Sequence, residues 1–476
     1  VSQPTPAAPT TTAPPTQQRP PEPRSEVIDT PAPQALRFPD DLPTVTLDVN
    51  LMYRERWMQI TQRVELTNTS TDEWEEVVFN APIRAVPDAF YLDGAQAAVN
   101  GQLQEGIPPN TPPRNVIRMP LDPAATPGDA ITITFEYRVL VPPVEPTSWP
   151  PVGTTGWTLE LLQAGEFYPA LVPYIDGEWQ AVRYHPVGDP TFYALTTTRL
   201  NVTPDDPAVT IVSGGPVGRD GDTWQFEVHG ARGIAFFASP LYQSAEGEVD
   251  GIPVYSYFLA EHALGGQSAV TVAEDSIRLF EDLIGPYPYE SLVVVENGFF
   301  GGMEYSALAS ITDYAYLTYQ SNPNSVLHAL IAHEVAHQWW YGAVGNNQAE
   351  EAWLDESLGF YGEYLYYEKL HPAYTEWWWD ARVLQFERYG PVDATIYSYS
   401  ESSEFILSMY GQAAFFIAEL RRAMGDEAFF AFLQDYYTTH YGGIVTGADF
   451  FEAARRHTDD AIIDELQEAY FANTDM

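Results

Sequence analysis

His333-Glu334-Val335-Ala336-His337 is the stretch of this chain whose residue types and spacing can do the most chemistry. On a helix, side chains four apart stand on one face, one turn from each other. Both imidazoles therefore reach a single metal ion, and zinc accepts such nitrogens at about 2.0–2.1 Å. Glu334 projects to the side, where a carboxylate can take a proton from water near the metal without ligating it. The bland alternative is a helix with two hydrogen-bonded histidines and no metal. Pro323 and Ser325 as start signals, apolar Leu327, Leu330 and Ile331, and Gly342 as a stop put both histidines on one helix, as a metal requires. The chain has no cysteine, so histidine and carboxylate must make up the ligand set.

A hydrolytic zinc site has three protein ligands and an open position. Glu356, in Trp353-Leu354-Asp355-Glu356-Ser357, is the expected third ligand to one zinc ion per chain. Residues 351–370 read as a second helix ended by Pro372, able to run back antiparallel to the first. Glu363 lies two turns further along the same face. It reads as an acceptor for a ligand imidazole, or as a solvated helix charge.

Neighbouring segments carry a resemblance. His337-Gln338-Trp339-Trp340-Tyr341-Gly342, Gly301-Gly302-Met303-Glu304-Tyr305 and Gly285-Pro286-Tyr287-Pro288-Tyr289, with the zinc motif, resemble the aminopeptidase-N-type zinc metallopeptidases among the gluzincins. The likeness is weak from about residue 40 and strong from about 270. Tyr305 replaces the asparagine of the family's Gly-x-Met-Glu-Asn. Tyr410-Gly411-Gln412-Ala413-Ala414 resembles its Tyr-x-Lys-Gly-Ala, with Gln412 in place of lysine.

The resemblance implies a zinc-dependent aminopeptidase that cleaves the first bond of peptides with a free amino terminus, through a zinc-activated water. Glu334 would be the general base, and the Tyr410 hydroxyl would stabilise the oxyanion, with Tyr397 and Tyr399 as fallbacks. Glu304 would hold the substrate amine beside the Gly301, Gly302 and Met303 backbone. Ungapped counting back from Pro169 makes Glu160 a second amine anchor, with Gln163 as the alternative. The resemblance also implies a short form, lacking the C-terminal helical domain of larger members and leaving an open cleft. A thermolysin-like endopeptidase and a catalytically silent surface binding module of the same fold are the competing readings.

The elements that must position these groups follow from periodicity. Val45, Leu47, Val49 and Leu51 alternate with polar neighbours, as do Ile131, Ile133, Phe135, Tyr137 and Val139. Such period-2 runs predict an antiparallel, saddle- or sandwich-like β domain over 36–248. From Gly251 the pattern changes to a strand at 252–258, a helix at 268–284 and strands at 291–295 and 307–311, joined by a glycine-rich segment. The fold class is multidomain α+β, with a thermolysin-like catalytic domain over 249–476. Trp377-Trp378-Trp379 reads as core packing between helices, with the wall of a pocket for the first side chain as the alternative.

Residues 1–35 are Pro/Thr-rich with almost no large apolar side chains, and read as a disordered linker. Such a spacer suggests an N-terminal tether to a membrane or wall and an extracytoplasmic location. No run of about 18–20 apolar residues exists to span a bilayer. Lys+Arg is 22 against 66 Asp+Glu, a net charge of −44. That charge repels nucleic acid and anionic membranes, so the expected partners are peptides.

Overall fold

Strict alternation in the first half produces strands with one buried face. Thr44–Met52 buries Val45, Leu47, Val49 and Leu51, and Trp57–Thr67 buries Met58, Ile60 and Val64, while their neighbours face outward. Ala130–Leu140 follows the same rule. The computed structural model describes residues 36–104, 114–144, 154–385 and 390–473; the expected 1–35 linker lies outside them.

The large sheet has eight strands in the order Val217–Asp220, Thr223–Ala231, Thr196–Pro204, Thr44–Met52, Trp57–Thr67, Ala130–Leu140, Phe90–Val99, Gln102–Leu103. Its antiparallel reading needs one correction. Thr44–Met52 runs parallel to Thr196–Pro204, with Thr44 opposite Thr197 and Leu51 opposite Pro204. One edge of the first strand is taken by its hairpin partner Trp57–Thr67. The other is filled only after the chain has started a four-stranded sheet that includes Thr155–Trp157 and Leu162–Ala164.

A second, five-stranded mixed sheet has the order Tyr242–Val249, Ile252–Leu259, Leu292–Asn297, Leu308–Thr312, Gly302–Tyr305. Helix α1, Ala263–Leu283, makes the parallel crossover from Ile252–Leu259 to Leu292–Asn297 and buries Ala269, Ala273, Ile277 and Phe280. It starts ahead of the expected Ser268, with Phe258 packed onto Gly266 and Tyr316 onto Gly265. The glycine-rich segment expected as a plain connection contributes the edge strand Gly302–Tyr305, antiparallel to Leu308–Thr312.

Behind this sheet lie helix α2, Val326–Ala336, and helix α3, Trp353–Leu370. The Ser325 hydroxyl caps α2 by accepting from the His328 N–H at 3.3 Å. From Leu36 onward the chain forms one compact unit. Among the described residues no helix is long and apolar enough to cross a membrane.

Candidate active site

Helix α2 ends one residue before its second histidine, short of the expected stop at Gly342. His337 is the C-cap residue, still in helical conformation. The amides of Gly342, Ala343 and Val344 then reach back five residues to the carbonyls of His337, Gln338 and Trp339, at 2.9, 3.1 and 2.9 Å. This wide turn satisfies carbonyls that a continuing helix would have used. It also brings the Trp340 carbonyl within 3.2 Å of His337 Nδ1. The N–H therefore belongs on Nδ1, leaving the Nε2 lone pair free.

Helix α3 runs antiparallel to α2, since His333 meets Glu363 while His337 meets Glu356. The antiparallel return brings Glu356 to both histidines. The two Nε2 atoms are 3.1 Å apart, and Glu356 Oε2 lies 3.3 Å from His333 Nε2 and 3.7 Å from His337 Nε2. Donors arranged tetrahedrally about 2.0–2.1 Å from a zinc ion stand about 3.3–3.4 Å from one another, so the triangle fits that metal. Glu356 Oε2 is buried and has no hydrogen-bond partner among the described residues, as a ligand oxygen should. Burial alone would raise the Glu356 carboxyl, yet the two imidazoles hold it well below its ordinary value. Burial would lower His337, but the charges of Glu304 and Glu356 outweigh it and raise the imidazole well above its usual range.

Glu363 is fully buried rather than solvated. It accepts from Trp378 Nε1 at 2.9 Å and from Arg382 at 2.7 and 2.8 Å, and its Oε1 lies 3.4 Å from His333 Nδ1. Trp378 belongs to the tryptophan run and is itself buried.

Glu334 is 3 % exposed and leans on the edge strand: a Cβ at Gly302 would lie 2.0 Å from Glu334 Oε1. Only glycine leaves that room. Glu334 Oε2 has no partner among the described residues. Burial and then the charge of Glu304 push its carboxyl well above the ordinary value, the direction a proton acceptor needs.

Glu304 points inward from the Gly302–Tyr305 strand. Its Oε1 accepts from Gln348 Nε2 at 2.8 Å, and the same amide donates to Asp355 Oδ2 at 2.7 Å. Glu304 has a carboxylate oxygen within 4.8 Å of donor atoms of His337 and Asp355. Met303 is buried, and Gly301 accepts from the Thr312 amide at 2.9 Å, closing the hairpin. Tyr410 stands with its ring 5.7 Å from that of His333, partly exposed, in a π-helical turn, Leu407–Gln412. Burial and the charge of Glu356 raise its phenol well above 10, so it stays a donor. The fallback tyrosines are engaged elsewhere. Tyr397 OH donates to the Arg183 carbonyl at 2.8 Å, and Tyr399 packs edge-on to Phe405.

The comparisons with known proteins bear on this assembly. Residues 269–470 match the model of the peptidase family M1 domain. This part of the chain is similar to that family. The chain is 25% identical over 209 residues to a probable aminopeptidase 2 of Sulfurisphaera tokodaii, covering 40% of this chain and 26% of that protein. The chain is 31% identical over 146 residues to aminopeptidase M1-B of Oryza sativa subsp. japonica, covering 29% of this chain and 17% of the relative. It thus spans under a third of the length of these curated relatives. Its fold is shared with the M1 zinc metallopeptidase of Deinococcus radiodurans, at a TM-score of 0.66 and 16% identity over 91% of this chain and 93% of that one. A variant of that protein bound to a Tyr-Ser-Ala substrate aligns at a TM-score of 0.63 and 15% identity, covering 90% and 94%.

The anchors expected upstream of the M1 domain are placed differently. Glu160 is half-buried in a turn, where its carboxylate accepts from Thr158 Oγ1 at 3.2 Å. Its carbonyl accepts from the Ser239 hydroxyl at 2.6 Å, so its bonds are to that turn and to neighbouring segments of the β-rich part. Gln163 is buried and accepts from the Gly298 amide at 2.9 Å, supporting the glycine-rich segment from behind. Upstream of the M1 domain, Glu166 and Asp189 are the buried carboxylates that feel the charge of Glu304. Glu166 accepts from the Tyr193 hydroxyl, and burial, opposed by that bond and aided by Glu304, pushes its carboxyl up to about 7. Glu166 stands three residues before the Pro169 used as the counting anchor. The strand Leu162–Ala164 lies between Glu160 and Glu166 along the chain.

Proposed function

We propose that this chain is a zinc-dependent aminopeptidase that hydrolyses the first peptide bond of substrates with a free amino terminus. The observation that carries the reading is the position of Glu304, a buried carboxylate on an edge strand, next to a metal triad it does not belong to. A carboxylate there pairs with a substrate ammonium and limits how far the chain can enter. The outer side of Gly302–Tyr305 is unpaired among the described strands, so an extended peptide can add to it by backbone hydrogen bonds.

His333, His337 and Glu356 would hold the zinc, which supplies Lewis-acid polarisation of the scissile carbonyl and lowers the pKa of water. Glu334 takes the proton of the attacking water and passes it to the departing amine, so one carboxyl serves both halves of the reaction. The Tyr410 hydroxyl donates to the oxygen that becomes negative in the tetrahedral intermediate. Glu166 adds a second negative group for the ammonium. The Deinococcus radiodurans neighbour's description as substrate-bound supports a peptide ligand in this fold.

Matched peptides with free and acetylated amino termini test the reading. The free form should be cleaved and the acetylated form spared; equal cleavage of both refutes the aminopeptidase assignment. Glu334→Gln should keep stoichiometric zinc and lose about 10²–10⁴-fold in kcat. Undiminished turnover in that variant would refute its role as base.

A further inference from the structure

The loop around Gly188 sends one more carboxylate into the same chamber, and the reaction above gives it no task. Asp189 is only 9 % exposed, and its Oδ1 has no hydrogen-bond partner among the described residues. Its strongest charged neighbour is Glu304, followed by Glu356 and Asp355. It also ranks next to Glu356 among the charges acting on Tyr410. Asp189 thus acts electrostatically on the oxyanion donor and feels the charge of the amine anchor.

The loop is fixed there from two sides. The Thr191 hydroxyl donates to Gln348 Oε1, and Gln348 in turn donates to Glu304. Gly188 packs against Phe405, whose ring stands edge-on to Tyr410 at 6.2 Å.

Charge decides what fills the chamber. Glu166, Asp189, Glu304, Glu334, Asp355 and Glu356 are six carboxylates buried together. No lysine or arginine is among the groups acting most strongly on them. Burial and mutual repulsion raise the carboxyls of Glu166, Asp189, Glu304, Glu334 and Asp355 above their ordinary values, so an incoming cation competes with protons for them. Like charges buried together are costly, and a further cation relieves the cost. A neutral ligand would leave Asp189 Oδ1 desolvated and unpaired.

We propose that Asp189 is a specificity-determining residue that receives the cationic side chain of an amino-terminal arginine or lysine, with the Phe405–Tyr410 wall flanking its aliphatic stem. The assignment rests on the aminopeptidase reading and names its substrate class. Discrimination arises from the penalty a neutral side chain incurs at a polar site built for a partner.

Citrulline has nearly the shape of arginine without its charge, which makes it the control. With the zinc-loaded full chain, kcat/KM for an arginyl anilide should exceed that for the citrullyl anilide at least tenfold, and lysyl should exceed norleucyl. Asp189→Asn should collapse both ratios toward one, lowering the cationic substrates far more than leucyl. Equal arginyl and citrullyl rates in the unaltered protein, or a uniform loss across all substrates in the variant, overturns the proposal. Calorimetric binding of arginine amide against citrulline amide makes the same comparison without turnover. Tighter arginine amide binding by a protein that cleaves nothing supports the pocket while the peptidase reading falls; equal binding overturns the pocket.

Discussion

Tyr410 and His337 carry the sharpest expectations at the scale of single residues. The Tyr410 phenol is held protonated by burial and by the charge of Glu356, so its contribution is a hydrogen bond given to developing charge. Tyr410→Phe should lower kcat by about 10²–10³-fold and leave KM nearly unchanged, because a donor aimed at the intermediate acts mainly in the transition state. His337 predicts the pH behaviour. Its imidazole is raised by Glu304 and Glu356, and protons compete with metal for Nε2. The protonated form then predominates at and below the ordinary imidazole range, and metal affinity rises as pH climbs through the raised value. Dialysis at stepped pH, followed by metal analysis, should show zinc lost on acidification, beginning above the pH at which a free imidazole would protonate. The two histidines, Glu334 and Glu356 were legible in the sequence because a helix converts their spacing directly into proximity. Glu166 and Asp189 were not, because only the tertiary fold brings those loops to Glu304.

At the scale of elements, helix α3 does more than deliver Glu356. Its Gly359 lies so close to helix α2 that a Cβ there would meet His337 Nε2 at 2.9 Å. Gly359→Ala therefore pushes on a metal donor while improving helix propensity by up to about 1 kcal/mol. The expected outcome is weaker zinc binding in a competition assay, with the midpoint of thermal unfolding of the metal-free protein unchanged or raised. Helix α3 was anticipated to within two residues at its start and to the residue at its end, where Pro372 marks the stop locally. The Gly302–Tyr305 strand was taken for part of a connection. Gly-Gly-Met-Glu has neither β-branched residues nor alternation, and its strand character comes from pairing with Leu308–Thr312. The parallel pairing of Thr44–Met52 with Thr196–Pro204 escaped for the same reason: the partners lie some 150 residues apart, and period 2 carries no information on strand direction.

At the scale of the whole molecule, Arg232 joins the large sheet to the metal-bearing helices. It follows the strand Thr223–Ala231, is 2 % exposed, and its guanidinium donates to four backbone carbonyls: Gly342 at 3.3 Å, Tyr193 at 3.3 Å, Gly442 at 3.4 Å and Gly443 at 2.6 Å. Desolvation lowers its guanidinium to about 10, so it remains charged at neutral pH. Its own amide donates to Ser306 Oγ at 2.9 Å, two residues beyond Glu304, and its carbonyl accepts from the Tyr341 hydroxyl. Arg232→Met leaves several buried carbonyls without donors, at about 1–3 kcal/mol for each left unsatisfied. Chemical denaturation should show a loss of several kcal/mol, with Arg232→Lys intermediate. An unchanged midpoint would mean that water replaces the guanidinium.

The π-helical turn that carries Tyr410, Leu407–Gln412, limits how this stretch can drift in evolution. A π turn is an α-helix holding one surplus residue. Deleting any one residue from it would let the coil close regularly and swing the phenol by about 100° around the axis, away from the imidazoles. Substitutions there can accumulate while the length stays fixed, so equivalent tyrosines in distant homologues must be matched by counting through the bulge.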